Sequence, residues 1–136
     1  MKIVFIACSA KKLGKPAKAK NLYISPLFQL SWRYANRLKP DKVYILSAKH
    51  GLIKPDVIIR PYNVALNTMT TSLRKNWAGK VNKQMEQERI NFVQDQVVFL
   101  AGKNYYQYLA PLFAKVQLPL SRLGIGRQLK YLKTHV

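Results

Sequence analysis

The sequence predicts an α/β domain of three layers, in which a short, mainly parallel β-sheet is flanked by helices. Three apolar runs predict the strands: KIVFIA at 2–7, KVYILS at 42–47 and QVVFLA at 96–101. Each run is rich in β-branched or aromatic residues and has no strict polar alternation, as expected of strands covered on both faces. The intervals between the runs are long enough for helices, so we expect right-handed β-α-β crossovers.

The first interval carries a helix with clear start and stop signals. Ser25 followed by Pro26 is typical of an N-cap and a first helical residue. Apolar residues then recur at helical spacing until the sequence Lys39-Pro40-Asp41, which ends the segment.

Three further helices are predicted. The first begins at a cap on Thr71 or Ser72 and ends near Phe92, with an apolar stripe on one side and basic residues on the other. A shorter helix is expected over 105–115, and a basic one over 127–133.

The chain is strongly basic. It has 136 residues, 49% of them hydrophobic, which is enough for one core, and we expect a single domain over 1–136. Its 24 Lys and Arg against 5 Asp and Glu give a formal net charge of +19. Such a charge favours a polyanionic partner. We expect DNA, with RNA or an acidic protein as alternatives, and no membrane partner, because no segment resembles an amphipathic membrane anchor.

The cysteine count and the hydropathy pattern predict a cytoplasmic protein. No run approaches the roughly 20 apolar residues that span a bilayer, and lysines follow the opening MKIVFIACSA too soon for a secretory signal. The single cysteine, Cys8, excludes an intrachain disulfide and fits a reducing compartment. Cys8, His50 and His135 are the only soft metal ligands, so we expect no metal and no cofactor.

Small polar residues and a lysine follow each predicted strand, where open parallel sheets bind their ligands. The three segments are Cys8-Ser9-Ala10-Lys11-Lys12, Ser47-Ala48-Lys49-His50-Gly51 and Gly102-Lys103-Asn104-Tyr105. We therefore expect a pocket for an anionic ligand at this edge of the sheet. The residues expected to bind the ligand are Cys8, Lys11, Lys12, Ser47, Arg60, Tyr62, Lys103, Asn104, Arg127 and Lys130.

Asp56 is the one carboxylate that an ordinary turn or helix position does not explain. It follows the second strand, among Lys49, His50, Lys54 and Arg60. These cations would keep it ionised, which suits a general base or a group that stabilises positive charge on a sugar. The alternative is a helix cap or an ion pair with Arg60.

Several other candidates carry two interpretations each. His50 is a proton donor or phosphate contact, or else a hydrogen-bonded turn residue, and Lys49 is similar. Cys8 is a nucleophile favoured by nearby lysines, or a small residue at a strand end. Tyr62 stacks on a base or packs in the core. The segment GIGRQLKYLK at 124–133 offers N–H groups and cations to a phosphate, or is a solvated basic helix.

Four segments resemble a small domain family of bacteria and phages whose function is unknown. They are CSAKK at 8–12, LYISPLF at 22–28, ILSAKHGLIKPDVIIRPYNVAL at 45–66 and PLSRLGIGRQLKYLK at 119–133. The resemblance runs over most of the chain in the same order.

The central motif, GLIKPDVIIRPY, also resembles the corresponding stretch of the larger YaaA peroxide-stress proteins. That resemblance implies DNA binding, protection of DNA under oxidative stress and a basic cleft over an α/β core. It marks Asp56, Arg60 and Tyr62 as motif positions and assigns them no role.

These observations lead to three functional hypotheses. The first is a metal-independent hydrolase of the DNA glycosylase type, which breaks an N-glycosyl bond of nucleic acid. In it Asp56 positions water or stabilises the oxocarbenium ion, His50 or Lys49 assists the departing base, Tyr62 stacks on that base, and Ser9 completes the site. The second is a DNA-binding or DNA-protecting module without chemistry. The third is a basic adaptor for an acidic protein.

Overall fold

A computed structural model describes residues 1–136 and confirms the α/β class. The strands are β1 Lys2–Ala7, β2 Ala17–Lys18, β3 Lys42–Ser47, β4 Gly51–Ile53, β5 Ile58–Ile59, β6 Gln96–Leu100 and β7 Lys115–Gln117. The helices are α1 Ala19–Leu22, α2 Pro26–Arg37, α3 Thr71–Gln87, α4 Lys103–Tyr106 and α5 Ile125–His135. None of them is long and apolar enough to cross a membrane.

The main sheet has the strand order β4-β3-β1-β6-β7. In it β1, β3, β6 and β7 run parallel, and β4 is an antiparallel strand at one edge. The predicted strands at 2–7 and 42–47 are confirmed with their bounds, and the third ends one residue before its predicted end. β2 and β5 form a separate antiparallel pair.

Alternate residues of β1 supply the two halves of the core. Ile3 and Phe5 join the apolar cluster that contains Val81 of α3. Val4 and Ile6 join the cluster on the opposite face, which contains side chains of α2 and α5. All four β1 residues are fully buried, which explains why the run has no polar alternation. The sheet is therefore the middle of the three predicted layers.

The helix starts are partly as predicted. The Ser25 cap of α2 is confirmed, because its side chain accepts a backbone N–H of the first turn. In α3 the N-cap is Thr70 and not the expected Thr71 or Ser72. The helix predicted at 127–133 is longer at both ends.

The end of α3 also differs from its prediction. The helix stops at Gln87, before the expected Phe92, because Arg89 adopts a left-handed backbone with φ of +59°. The N–H of Ile90 then donates to the carbonyl of Met85 at 3.1 Å, and both side chains are buried. This termination usually uses a glycine at the left-handed position, so an arginine there gives little signal in the sequence.

The helix predicted over 105–115 is wrong. α4 covers only four residues, a 3-10 turn follows at Ala110–Leu112, and β7 begins at Lys115. Pro111 lacks the N–H that an α-helix needs there. The segment instead reaches the sheet and adds β7 beside β6 as a fourth parallel strand.

Candidate functional site

The three predicted strand exits meet at the carboxyl edge of the sheet. There β1 leads into Cys8, β3 ends at Ser47, and β6 leads into the Gly102 segment. The chain passes from β1 to β3 on one side and later to β6 on the other. The crevice between β1 and β6 is therefore the switch point at which sheets of this type bind ligands.

Ser47 organises the hydroxyl groups at this edge. Its Oγ accepts the N–H groups of Lys49 at 3.2 Å and His50 at 3.0 Å. Because both acceptor positions are used, its own hydrogen is directed to the Tyr62 Oη, 2.7 Å away. The Tyr62 Oη in turn shares a hydrogen bond of 2.6 Å with the Tyr23 Oη. Two backbone N–H groups thus orient the Ser47 hydroxyl, which is the first of three hydroxyls linked by hydrogen bonds.

Cys8 and Tyr105 extend this arrangement toward β6. The Cys8 Sγ lies 3.2 Å from the Tyr105 Oη, and the Tyr105 ring packs edge to face with Trp77. The Trp77 indole N–H donates to the Ser47 carbonyl at 2.8 Å. We call Cys8, Tyr23, Ser47, Tyr62 and Tyr105 the tyrosine cluster.

The phenols of the tyrosine cluster are neutral at physiological pH. Burial raises the pKa of Tyr23 to about 12 and raises the pKa values of Tyr62 and Tyr105 well above their usual range. The cluster therefore offers hydrogen-bond donors and acceptors rather than a ready base.

Lys12 is the cation closest to the tyrosine cluster. Its Nζ lies 4.4 Å from the centre of the Tyr62 ring, in cation–π geometry, and burial lowers the pKa of Lys12. The His50 ring meets Tyr62 edge to face at 5.4 Å. Because Lys12 covers its face, Tyr62 is not a free platform for stacking, and a base can reach that ring face only if Lys12 moves.

His50 is held in its turn by a side chain of α3. The Gln84 amide donates to the His50 carbonyl at 3.0 Å and accepts the Leu52 N–H at 2.8 Å. Between these two residues Gly51 has a φ of +74°, a conformation that suits glycine. Burial, Lys49 and Lys80 lower the pKa of His50, so its imidazole is neutral at pH 7.

Asp56 lies apart from these groups. Because β4 runs antiparallel to β3, the chain leaves the carboxyl edge before it reaches Asp56 and returns only at Tyr62. The Asp56 side chain is 72% exposed and pairs with Lys20 at 2.9 Å, which lowers its pKa. Asp56 therefore does form an ion pair, as the alternative predicted, but its partner is Lys20 and not Arg60.

The other predicted residues lie around the cluster or on the surface. Ser9 follows Cys8 and lines a small cavity between β1 and β6. Asn104 donates to the Asn67 side chain at 2.7 Å and so ties α4 to the loop after Tyr62. The predicted cations with exposed side chains are Lys11, Lys49, Arg60, Lys103, Arg127 and Lys130.

Charge is distributed unequally between the two edges of the sheet. A set of cations lies at the strand exits, at the start of α5 and on α3, where the Lys80 Nζ donates to the Lys49 carbonyl at 3.3 Å. We call this set the cationic rim: Lys11, Lys12, Lys49, Lys80, Lys103 and Arg127. Four of the five carboxylates lie where strands begin or where α3 ends, namely Asp41, Glu86, Glu88 and Asp95. The fifth, Asp56, is paired with Lys20. No carboxylate therefore neutralises the cationic rim.

Sequence reasoning misses Tyr23, Trp77 and Gln84 as parts of this site. Each reaches the edge from a helix or a helix end and looks like an ordinary core or surface position in the sequence. Tyr105 gave a usable signal, because it is the last residue of the third strand exit.

Comparisons with known proteins give the family of the chain. A model described as "Family of unknown function (DUF6884)" matches residues 3–134. The chain is similar to "Uncharacterized protein YfjM" of Bacillus subtilis (strain 168), at 30% identity over an alignment 146 positions long that covers 99% of this chain and 95% of that protein. No solved structure shows a significant match. Since the family model spans nearly the whole sequence, the chain belongs to the Family of unknown function (DUF6884).

Proposed function

We propose that this protein binds nucleic acid, and DNA in particular, across the carboxyl edge of its sheet. The separation of charge carries the proposal, because the cationic rim surrounds the strand exits while the carboxylates lie elsewhere. A phosphate backbone is the polyanion that such an edge attracts inside a cell. The free thiol of Cys8 fits a cytoplasmic location.

The tyrosine cluster gives this edge a place for a single nucleotide. Its partly exposed members Cys8, Tyr62 and Tyr105 present polar atoms that suit the edge of a base, and the buried Ser47 and Trp77 hold the cluster in a fixed position. Lys12 adds a cation directly beside them. The cationic rim would bind the phosphate backbone of the DNA, and the tyrosine cluster would bind one nucleotide.

The likeness of GLIKPDVIIRPY to YaaA-type proteins supports the same function. The motif spans Gly51 to Tyr62. This segment leaves the carboxyl edge along β4 and returns to the tyrosine cluster at Tyr62. DNA binding and protection of DNA are the properties that this likeness suggests.

Base excision is the second candidate function. The observation in its favour is the ordered hydroxyl chain of Ser47, Tyr62 and Tyr23 at the strand ends. Cleavage of an N-glycosyl bond also needs a group that stabilises positive charge on the sugar. Asp56 was expected to do this, and it lies in an exposed ion pair with Lys20. Binding without excision is therefore the function that the geometry supports best.

A pair of matched double variants tests the binding proposal. Lys49→Gln with Lys103→Gln removes two exposed cations from the cationic rim, and Lys42→Gln with Lys115→Gln removes two exposed cations from the opposite edge. Fluorescence anisotropy with labelled DNA, measured across a range of salt concentrations, gives the number of phosphates contacted. Each contacted phosphate contributes about −0.9 to the slope of log K against log salt.

We expect the rim variant to bind more weakly and to reduce the magnitude of the slope by about two, because two phosphate contacts are lost. The opposite-edge variant should keep the wild-type slope. Equal effects of the two variants would contradict the placement of the interface, and absence of binding to DNA or RNA would contradict the function. Alkaline strand cleavage after incubation reports base excision in the same samples.

A further inference from the structure

A small cavity occupies the crevice between β1 and β6. Its volume is about 50 Å³, and its polar lining consists of Cys8, Ser9, Ser25, Ser31, Gly102 and Gln128. No charged side chain lines it. Cys8 contributes to both this cavity and the tyrosine cluster, so the two sites are adjacent.

Ser31 supplies an unused hydroxyl to this cavity. It lies on α2, is only 3% exposed, and makes no hydrogen bond to another protein group. Every side-chain nitrogen or oxygen that is fully enclosed in the protein has a partner. The Ser31 hydroxyl is therefore the part of that residue that reaches the cavity. Because this hydroxyl is open to the cavity and has no protein partner, it can donate a hydrogen bond to a ligand there.

The first turn of α2 lines this cavity. In α2 the Ser25 side chain accepts the Phe28 N–H, and the Leu27 N–H is left without a partner inside the helix. α5 contributes Gln128, which is 9% exposed and whose side-chain amide donates to the Leu123 carbonyl at 2.8 Å. The free Leu27 N–H and the positive end of the α2 dipole favour an anion.

The size of the cavity restricts the ligand. Because one water-sized group needs at least roughly 10–15 Å³, the space holds at most about three to five such groups, which leaves room for a phosphoryl group and is too small for a base. An internal phosphodiester carries a chain on two of its oxygens, whereas a phosphomonoester carries a chain on one. A narrow crevice that adjoins the tyrosine cluster at Cys8 therefore suits a terminal phosphate.

We propose that this cavity binds the phosphomonoester of a nucleotide, while the tyrosine cluster contacts the attached nucleoside. The inference rests on the proposed function for the nucleoside part, and the phosphate site stands on its own geometry. The same chemistry is present in a free nucleoside 5′-monophosphate and in the 5′-phosphorylated end of a DNA strand.

Binding of four ligands distinguishes these sources. The first two are a DNA strand with a 5′-phosphate and a 5′-hydroxyl strand two nucleotides longer, which carries the same total charge. The other two are thymidine 5′-monophosphate and thymidine. Each is titrated against wild type, Ser31→Ala, Ser31→Val and the exposed control Thr134→Ala. Calorimetry gives the affinity, and circular dichroism confirms that each variant is folded.

We expect the wild type to prefer at least one phosphomonoester over its partner ligand. Ser31→Ala should reduce that preference about tenfold, because hydrogen bonds to charged groups are strong, and Thr134→Ala should not change it. Ser31→Val should abolish it by filling the cavity. If Ser31→Val does not fold, Ser31→Ala remains decisive.

Three results have distinct meanings. Equal affinity for the phosphomonoesters and their partner ligands would overturn the phosphate site and leave DNA binding intact. A preference that survives Ser31→Ala would also overturn it, because the anion would then bind elsewhere. Binding of thymidine 5′-monophosphate that depends on Ser31, with no binding of either strand, would support the phosphate site and refute the proposed binding of DNA.

Discussion

Gln84 illustrates how one side chain shapes the edge of the site. Its amide acts as a substitute backbone across the turn at Gly51, because it pairs with the His50 carbonyl on one side and the Leu52 N–H on the other. Nothing in the sequence distinguishes this glutamine from the neighbouring Gln87 on the same helix. The distinction arises only when α3 packs beside β4.

Replacement of Gln84 by alanine should lower the free energy of unfolding by about 1–3 kcal/mol, because two partly buried backbone groups lose their partners. The matched control is Gln87→Ala, at an exposed position three residues later. Urea unfolding monitored by circular dichroism measures both. Similar destabilisation by the two variants would show that the Gln84 bridge does not support the turn.

His50 should titrate below its ordinary pKa of 6.5, because burial and the charges of Lys49 and Lys80 disfavour the imidazolium. In the unfolded chain the pKa returns to about 6.5, so the unfolded state takes up the proton first as the pH falls. The stability contributed by neutral His50 is therefore fully present above 6.5 and is lost as the pH falls through the folded pKa.

Proton NMR of the His50 ring measures this midpoint directly. Lys80→Gln should move the midpoint upward, toward 6.5, since one of the two neighbouring cations is removed while the burial remains. A midpoint that does not respond to Lys80→Gln would show that this lysine does not contribute to the shift.

Among the residues of the site, the sequence predicted those that follow strands and missed those that arrive from helices. Cys8 and Ser47 could be selected because the carboxyl ends of parallel strands share one edge, and Tyr62 because it ends the motif GLIKPDVIIRPY. Asp56 was placed near His50 on sequence distance alone. The antiparallel strand β4, which carries Asp56 away from the edge, is three residues long and has no pattern that periodicity detects.

At the level of elements, length decided what could be predicted. The long apolar strands β1, β3 and β6 and the capped helix α2 carry strong patterns, and their bounds were predicted within one residue. β7 has three residues, of which only Val116 is partly buried. So short a strand leaves no apolar pattern in the sequence that distinguishes it from a helix or a loop. The end of α3 depends on the left-handed backbone of Arg89, which tertiary packing determines and the local sequence does not.

The start of α3 allows a direct test of which threonine is its cap. The Thr70 hydroxyl accepts the Leu73 N–H at 3.2 Å, whereas Thr71 is the first helical residue. Thr70→Ala should therefore cost about 1 kcal/mol of stability, and Thr71→Ala should cost much less. Thermal and urea unfolding of the two variants provide the measurement. A larger loss in Thr71→Ala would instead support the cap predicted from sequence.

Over the whole molecule, a net charge of +19 makes the free protein repel itself. Carboxylates reduce this repulsion at the edge where the parallel strands begin. There Asp95 pairs with the Met1 amino group at 2.8 Å, and Asp41 accepts the backbone N–H of Lys2 at 2.7 Å. The cationic rim has no such partners. The lysines and arginine of the rim therefore repel one another in the free protein, and bound phosphate would relieve this repulsion.

Salt should therefore have opposite effects on the free and the DNA-bound protein. Without DNA, raising the salt concentration to about 0.2 M should raise the Tm, because the Debye length shrinks to about 8 Å or less and repulsion is screened. DNA at about 100 times its Kd should add about 2.7 kcal/mol of stability. Because salt weakens that binding, the Tm of the complex should fall toward the value of the free protein.

Scanning calorimetry at several salt concentrations separates these two effects. An uncharged methylphosphonate strand of the same sequence is the control, and it should leave the curve of the free protein unchanged. If the free protein gains no stability from salt, the rim is not a repulsive surface. If DNA raises the Tm equally at low and high salt, phosphate contacts do not carry the binding, because counterion release requires that the affinity decrease as salt increases.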